Sequence, residues 1–182
     1  MNTALLLIDL QNDYFPGGKN PLVGSPQAAG HARRLLDVFR PKGLPVVHIQ
    51  HLSLRPGASF FVPGTPGAEI YPLVEPQAGE LVIEKHYPNS FRETGLLEKL
   101  NQLEIGRLVV CGMMTHMCLD AGVRAAVDYG IECWVAGEAC ATKDLSFGGV
   151  NVPAGQVQAA FLAALAAAYA QVLTVDEILD RL

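Results

Sequence analysis

Positive charge is scarce in this sequence and nowhere concentrated. Lys and Arg total 13 against 18 Asp and Glu, a formal net charge of −5, and no basic block occurs. A nucleic-acid partner calls for a basic patch and an anionic membrane surface for a cationic cluster, so neither partner is expected. Charge of either sign is sparse: 17% of residues are charged and 50% are hydrophobic, which excludes a disordered chain. The four cysteines, Cys111, Cys118, Cys133 and Cys140, include no CxxC pair, so zinc-ribbon and thioredoxin readings have no footing. A cytoplasmic chain of this size needs no disulfides. Cys111 and Cys133 lie inside apolar runs and read as small buried hydrophobes. No glycine-rich phosphate loop follows the first apolar run, so a dinucleotide fingerprint is missing. That run, Ala4–Ile8, is closed by Asp9 and has no basic leader or cleavage site, so it reads as a strand and not as a signal peptide. The Ala-rich stretch around Ala159–Ala170 is too short to span a bilayer. The expectation is a soluble, cytoplasmic protein.

What is present is an alternation of two patterns. Short runs at Ala4–Ile8, Pro45–Gln50, Leu81–Ile83, Leu108–Cys111, Ile131–Val135 and Gln171–Thr174 are apolar on both faces, as parallel strands covered on both sides are. Between them, apolar residues recur at helical spacing. They are Ala28, Ala32, Leu35, Leu36 and Phe39; Leu96, Leu97, Leu100 and Leu103; Leu119, Gly122, Val123, Ala126 and Val127; and a long stripe from Val157 to Tyr169. Strand–helix alternation over 182 residues without repeat or linker predicts one α/β domain spanning 1–182. It would be doubly wound in three layers on a mostly parallel six-stranded sheet. The Ala-rich last helix and the low charge suggest apolar surface that needs a partner, hence a homo-oligomer, dimer or larger.

One segment breaks the rhythm. From Ser53 to Glu80 the chain is dense in proline and glycine, with Phe60, Phe61 and Tyr71 among them. A loop this long in a compact domain is functional or disordered, and its aromatics favour a packed lid over the site.

Open α/β sheets bind ligands beyond the carboxyl ends of their strands. Asp9 follows the first run, Lys85 the third, and the segment Gly112–Cys118 the fourth. An acid, a base and a thiol therefore converge on one sheet edge. Thr115 is a suitable N-cap for a helix running to about Tyr129, which puts Cys118 in a first turn where dipole and free N–H groups favour a thiolate. The alternatives at this stage are plainer: a buried cysteine, a loop-capping Asp9, and a solvated Lys85 paired with Glu84. His48 falls within the second run and reads as packed, while His51 sits nearer the mouth of the site. A dyad of His116 with Cys118 is disfavoured, because residues two apart on a helix do not face each other.

Three blocks then resemble the isochorismatase-like cysteine hydrolases, the superfamily that includes nicotinamidase and N-carbamoylsarcosine amidohydrolase. They are Ala4–Tyr14, Glu84–Leu96 and Val110–Cys118, and the likeness continues through Ala139–Asp144 and the last helix. The resemblance implies Cys118 as nucleophile, Asp9 as proton acceptor and donor, and Lys85 as stabiliser of the charged pair. It implies an oxyanion hole from the backbone N–H groups of Met114 and Cys118, and a cis peptide at Met113–Met114. It places Tyr14 in the substrate pocket, where His51, Phe60 and His116 are also expected. Two departures shape the expectation. Nicotinamidases hold a metal through an Asp-x-His segment and a later His, yet Val47–Ser53 carries no aspartate, so neither metal nor cofactor is expected. True isochorismatase lacks the nucleophilic cysteine, so Cys118 argues against vinyl-ether cleavage. The expected activity is cleavage of a C–N bond in a small amide, carbamoyl or lactam substrate through a thioester. The rivals are a metal-assisted nicotinamidase and a catalytically idle binding protein on the same scaffold.

Overall fold

The computed structural model describes residues 2–182. Its centre is the strand β1 (Asn2–Ile8), almost wholly buried. Side chains alternate across a strand, so Leu5 and Leu7 face one apolar core while Ala4, Leu6 and Ile8 face another. The first core is closed by α1 (Ser25–Phe39) and α5 (Val175–Leu179), the second by α2 (Leu96–Gln102), α3 (Asp120–Asp128) and α4 (Ala154–Ala168). The three layers expected from two-sided apolar strands are thus present.

The remaining sheet strands are β2 (Val46–His51), β3 (Leu81–Lys85), β4 (Ile105–Met113), β5 (Glu132–Ala141) and β8 (Gln171–Leu173). They stand in the order β3-β2-β1-β4-β5-β8, and every pairing is parallel. The order reverses between β1 and β4, which opens the crevice used by ligands in such sheets. A two-stranded hairpin of β6 (Leu145–Phe147) and β7 (Val150–Val152) stands apart.

Parallel neighbours require a crossover. Between β2 and β3 that crossover is not a helix but the irregular segment 53–80, with 3-10 turns at Pro66–Ala68 and Pro72–Val74. It is packed: Phe61, Ala68 and Val74 are buried. Backbone bonds tie it to the turn after β1, Asn12 N–H to Glu69 O at 3.0 Å and Tyr71 N–H to Leu10 O at 2.8 Å. The Asp13 carboxylate accepts from the Phe61 N–H at 2.7 Å and the Lys19 N–H at 3.1 Å. At its far end Glu80 accepts from Arg40 Nε at 2.7 Å and lies 2.9 Å from His48 Nε2.

Two expectations change. Thr115 does not cap a helix: its hydroxyl bonds Ala141 O and Gln158 Oε1. Residues Thr115–Leu119 form a single π-helical turn before α3 begins at Asp120. In α4 only Ala154, Val157 and Leu165 are buried, while Ala160, Ala164 and Ala168 of the predicted face lie in solvent.

Candidate active site

The floor of the site is built by strand ends. Asp9 follows β1 with a left-handed φ of 53°, a conformation that aspartate tolerates better than most residues. Lys85 is the last residue of β3. Cys118 lies in the π turn after β4, and the Met113–Met114 peptide is cis, as the resemblance implied. Before it, Gly112 holds a φ of +131°, and a Cβ there would sit 2.0 Å from Ile8 O. Only glycine lets β4 end this close to β1, which brings the segment carrying Cys118 over Asp9.

Asp9, Lys85 and Cys118 are all buried. Lys85 Nζ is 3.0 Å from Asp9 Oδ2 and donates to Pro88 O at 2.9 Å. His51 Nδ1 stands between the others, 3.8 Å from Asp9 Oδ2 and 4.0 Å from Cys118 Sγ. Its backbone is clamped by Gln11, whose amide donates to His51 O at 2.9 Å and accepts from His51 N–H at 2.8 Å. Neither Asp9 oxygen has a well-aligned hydrogen bond, so the ion pair with Lys85 is what compensates its burial and both oxygens can take a proton.

The electrostatics differ from the sequence expectation at one point. Burial alone would raise the Asp9 carboxyl, but the Lys85 ammonium and then His51 hold it below its ordinary range. Burial opposes the charge on Lys85, and the Asp9 carboxylate restores it and raises its pKa. Cys118 was expected to be shifted towards thiolate. Instead burial, followed by the Asp9 charge, pushes its thiol up, with Lys85 only partly offsetting them. Desolvation outweighs the helix end because the sulfur is buried beside a carboxylate. The resting pair is a thiol next to an ionised acid. Burial is the main cause that pushes the Tyr14 hydroxyl well above its ordinary value, so it is a neutral donor.

Above this floor opens a cavity of about 340 Å³ lined by Tyr14, His51, Phe60, Pro88, Met117 and Cys118, with Ser53 and Arg55–Ser59 from the crossover loop. Of the residues expected in the substrate pocket, Tyr14, His51 and Phe60 line this cavity and His116 does not: its Nδ1 lies 2.5 Å from Thr142 Oγ1 and its ring packs on Phe161. The π turn sends His116 towards the end of β5, and its neighbour Met117 faces the cavity. Arg55, Ser59 and Met117 had no sequence signal beyond lying in the loop or beside Cys118. His48 is packed as expected, bonded to Glu80.

Asp9, His51 and Cys118 place one ligand atom each within 4.8 Å of one another. The set does not suit the metal known from nicotinamidases. Lys85 already neutralises the carboxylate at 3.0 Å, and a dication beside it would meet a fixed like charge. His48, committed to Glu80 in the interior, cannot serve as a further ligand.

Residues 3–177 match the Isochorismatase domain. An uncharacterized isochorismatase family protein of Bacillus subtilis, YddQ, is 50% identical over 179 residues, covering 98% of this chain and 99% of its own. The maleamate amidohydrolase of Pseudomonas putida is 31% identical over 149 residues, covering 74% of this chain and 70% of its own. The crystal structure of an Oleispira antarctica protein assigned to the isochorismatase hydrolases superposes with a TM-score of 0.95 at 54% identity, covering 98% of this chain and 96% of that one. The matched span contains the sheet, Asn2 alone excepted, and each residue of the buried cluster at the switch point, and on that ground the chain belongs to the isochorismatase family.

Proposed function

We propose that the protein is a cysteine hydrolase that cleaves the C–N bond of a small amide, carbamoyl or lactam substrate through a thioester. The observation that carries this is the buried group of Asp9, Lys85 and Cys118 under one cavity. The amide chemistry in the name of the Pseudomonas relative supports the same class.

The electrostatics support one order of events. Because the thiol is pushed up and Asp9 is held ionised, the sulfur is not a standing thiolate. Cys118 Sγ attacks the carbonyl carbon as its proton passes to Asp9, which acts as general base. The negative charge that develops on the carbonyl oxygen is taken up by the Met114 and Cys118 N–H groups. Asp9 then gives its proton to the leaving nitrogen, the C–N bond breaks, and the acyl group remains as a thioester on Cys118. Water attacks the thioester with Asp9 again accepting a proton. The acid leaves, and that proton returns to the sulfur. Lys85 holds the Asp9 carboxylate in place and keeps it charged between steps.

The test is ammonia release from a panel of primary amides and N-carbamoyl compounds, and ring opening of lactams to their amino acids, by the wild type and Cys118→Ser. The serine variant should fold normally and lose about 10²-fold or more in turnover, since a buried hydroxyl ionises far less readily than a thiol. Near-normal turnover by that variant would overturn the mechanism.

A further inference from the structure

Arginine is a residue this protein otherwise keeps occupied. Arg33, Arg34, Arg40, Arg92, Arg107 and Arg124 each stand against a carboxylate, and Arg181 donates to Gln171 Oε1 at 2.9 Å. Arg55 is the remaining arginine, and among the described residues its guanidinium has no ion-pair or hydrogen-bond partner. It is also the one arginine that lines the cavity above Cys118.

Its position is fixed by local sequence. Pro56 and Gly57 follow it, Gly57 with a φ of +75°, and the Ala58 N–H bonds Arg55 O at 3.1 Å. Proline then glycine with positive φ is the signature of a type II turn, so the backbone that carries Arg55 is set by a tight turn on the cavity wall. The surroundings favour an anion. No Asp or Glu lines the cavity, and the acid beneath it, Asp9, is neutralised by Lys85. The rest of the lining carries no charge of its own: Pro56, Ala58, Phe60, Pro88 and Met117 are apolar, and Ser53 and Ser59 offer neutral hydroxyls. In a chain of net charge −5, this is a local positive site without a counter-charge of its own.

The geometry points to a substrate that carries an anionic group, a carboxylate in the first instance, at the end remote from its scissile amide, with Arg55 as the residue that selects it. A planar guanidinium pairs with a carboxylate through two parallel N–H donors, while the carbonyl of the other end reaches Cys118. This inference rests on the proposed hydrolase reading and narrows it. It predicts preference for an amide of a dicarboxylic acid over the matching neutral diamide, in each case with water consumed and ammonia released.

The test compares malonamate, succinamate and glutaramate with their diamides, on the wild type and on Arg55→Ala, Arg55→Lys and Arg55→Glu. Labelling of Cys118 by neutral iodoacetamide is followed in parallel. The wild type should favour one acid amide by about tenfold or more in kcat/KM, expressed mainly in KM, and rising salt should erode that preference. Arg55→Ala should bring the ratio towards parity, Arg55→Lys should retain part of it, and Arg55→Glu should invert it. Preference for the diamide, or an acid preference that survives Arg55→Glu, would overturn the assignment. Iodoacetamide labelling of Cys118 without turnover of any acid amide would overturn the substrate class and leave the nucleophile standing. Absence of both turnover and labelling would overturn the hydrolase reading, and the assignment with it.

Discussion

At the scale of single residues, charge placement decides the behaviour. Asp9 titrates below its ordinary 3.8 and Lys85 above its ordinary 10.5. What Asp9 contributes is complete above 3.8 and lost as pH falls through its lower native value. What Lys85 contributes is complete below 10.5 and lost as pH rises through its higher native value. Across neutral pH the pair is constant. His48 and His116 move stability there. Burial holds both imidazoles below the ordinary 6.5, at His48 against the pull of Glu80 and at His116 with the Lys143 charge adding to it. As pH falls through 6.5 the unfolded chain takes up a proton that the native chain refuses, so stability should fall with it. Calorimetry should show Tm dropping from pH 7 to pH 5, with a shallower slope in His48→Gln. An unchanged slope would assign the effect elsewhere. The sequence made Asp9, Lys85 and Cys118 legible because each follows an apolar run at the same sheet edge. The upward shift of the thiol has no local signal, because burial and the Asp9 charge that cause it come from residues distant in sequence.

At the scale of elements, all six sheet strands were legible from their apolar runs, with ends displaced by up to three residues except that β5 runs six residues further, to Ala141. The hairpin of β6 and β7 was not read, although Gly148-Gly149 between two alternating triplets is a hairpin signal. α5 was not read either, although Thr174 and Glu177 form the capping box that starts it. Both elements are short, and their apolar patterns are weak beside their turn chemistry. The π turn could not be read at all, because π and α turns share residue preferences. The close approach of β4 to β1 yields a direct prediction. Gly112→Ala should destabilise the protein by about 3 kcal/mol or more, since it combines a positive φ with a Cβ 2.0 Å from Ile8 O. Urea denaturation measures this, and a loss below 1 kcal/mol, on the order of a surface change, would mean the strand ends can part. The crossover loop is anchored at Glu80, whose carboxyl is held at about 2: burial opposes this, and Arg40, the Gln77 N–H and His48 outweigh it. That anchor is complete above pH 4.5 and fails as pH falls towards 2. Glu80→Gln should therefore lower stability at neutral pH by about 1–3 kcal/mol, the usual cost of disrupting buried charge-assisted hydrogen bonds.

At the scale of the whole molecule, the exposed small-residue side of α4 lies in the same stretch of chain as a hairpin whose Phe147 is 89% exposed and Val150 63%. A second copy of the chain is the expected cover, because an apolar surface with so few charges is a liability on a monomer. Sedimentation at micromolar concentration should give at least twice the 19.5 kDa of one chain, and Phe147→Ser should shift the balance towards monomer. A wild-type monomer would refute the expectation. Activity should also survive chelation, because Lys85 already neutralises Asp9. Loss of activity restored by one particular ion would overturn that view.

The crossover between β2 and β3 has a consequence for how such a protein diversifies. Seven of the residues that shape the cavity wall, Ser53 and Arg55–Phe60, come from this one connection, whereas Asp9, Lys85 and Cys118 come from strand ends and from the turn after β4. On the proposed reading, the reacting groups and the recognition surface therefore belong to separate parts of the chain. If so, a segment transplanted from a relative between Leu52 and Phe61 should change substrate preference, read as kcat/KM ratios, while the denaturation midpoint stays that of the parent sheet.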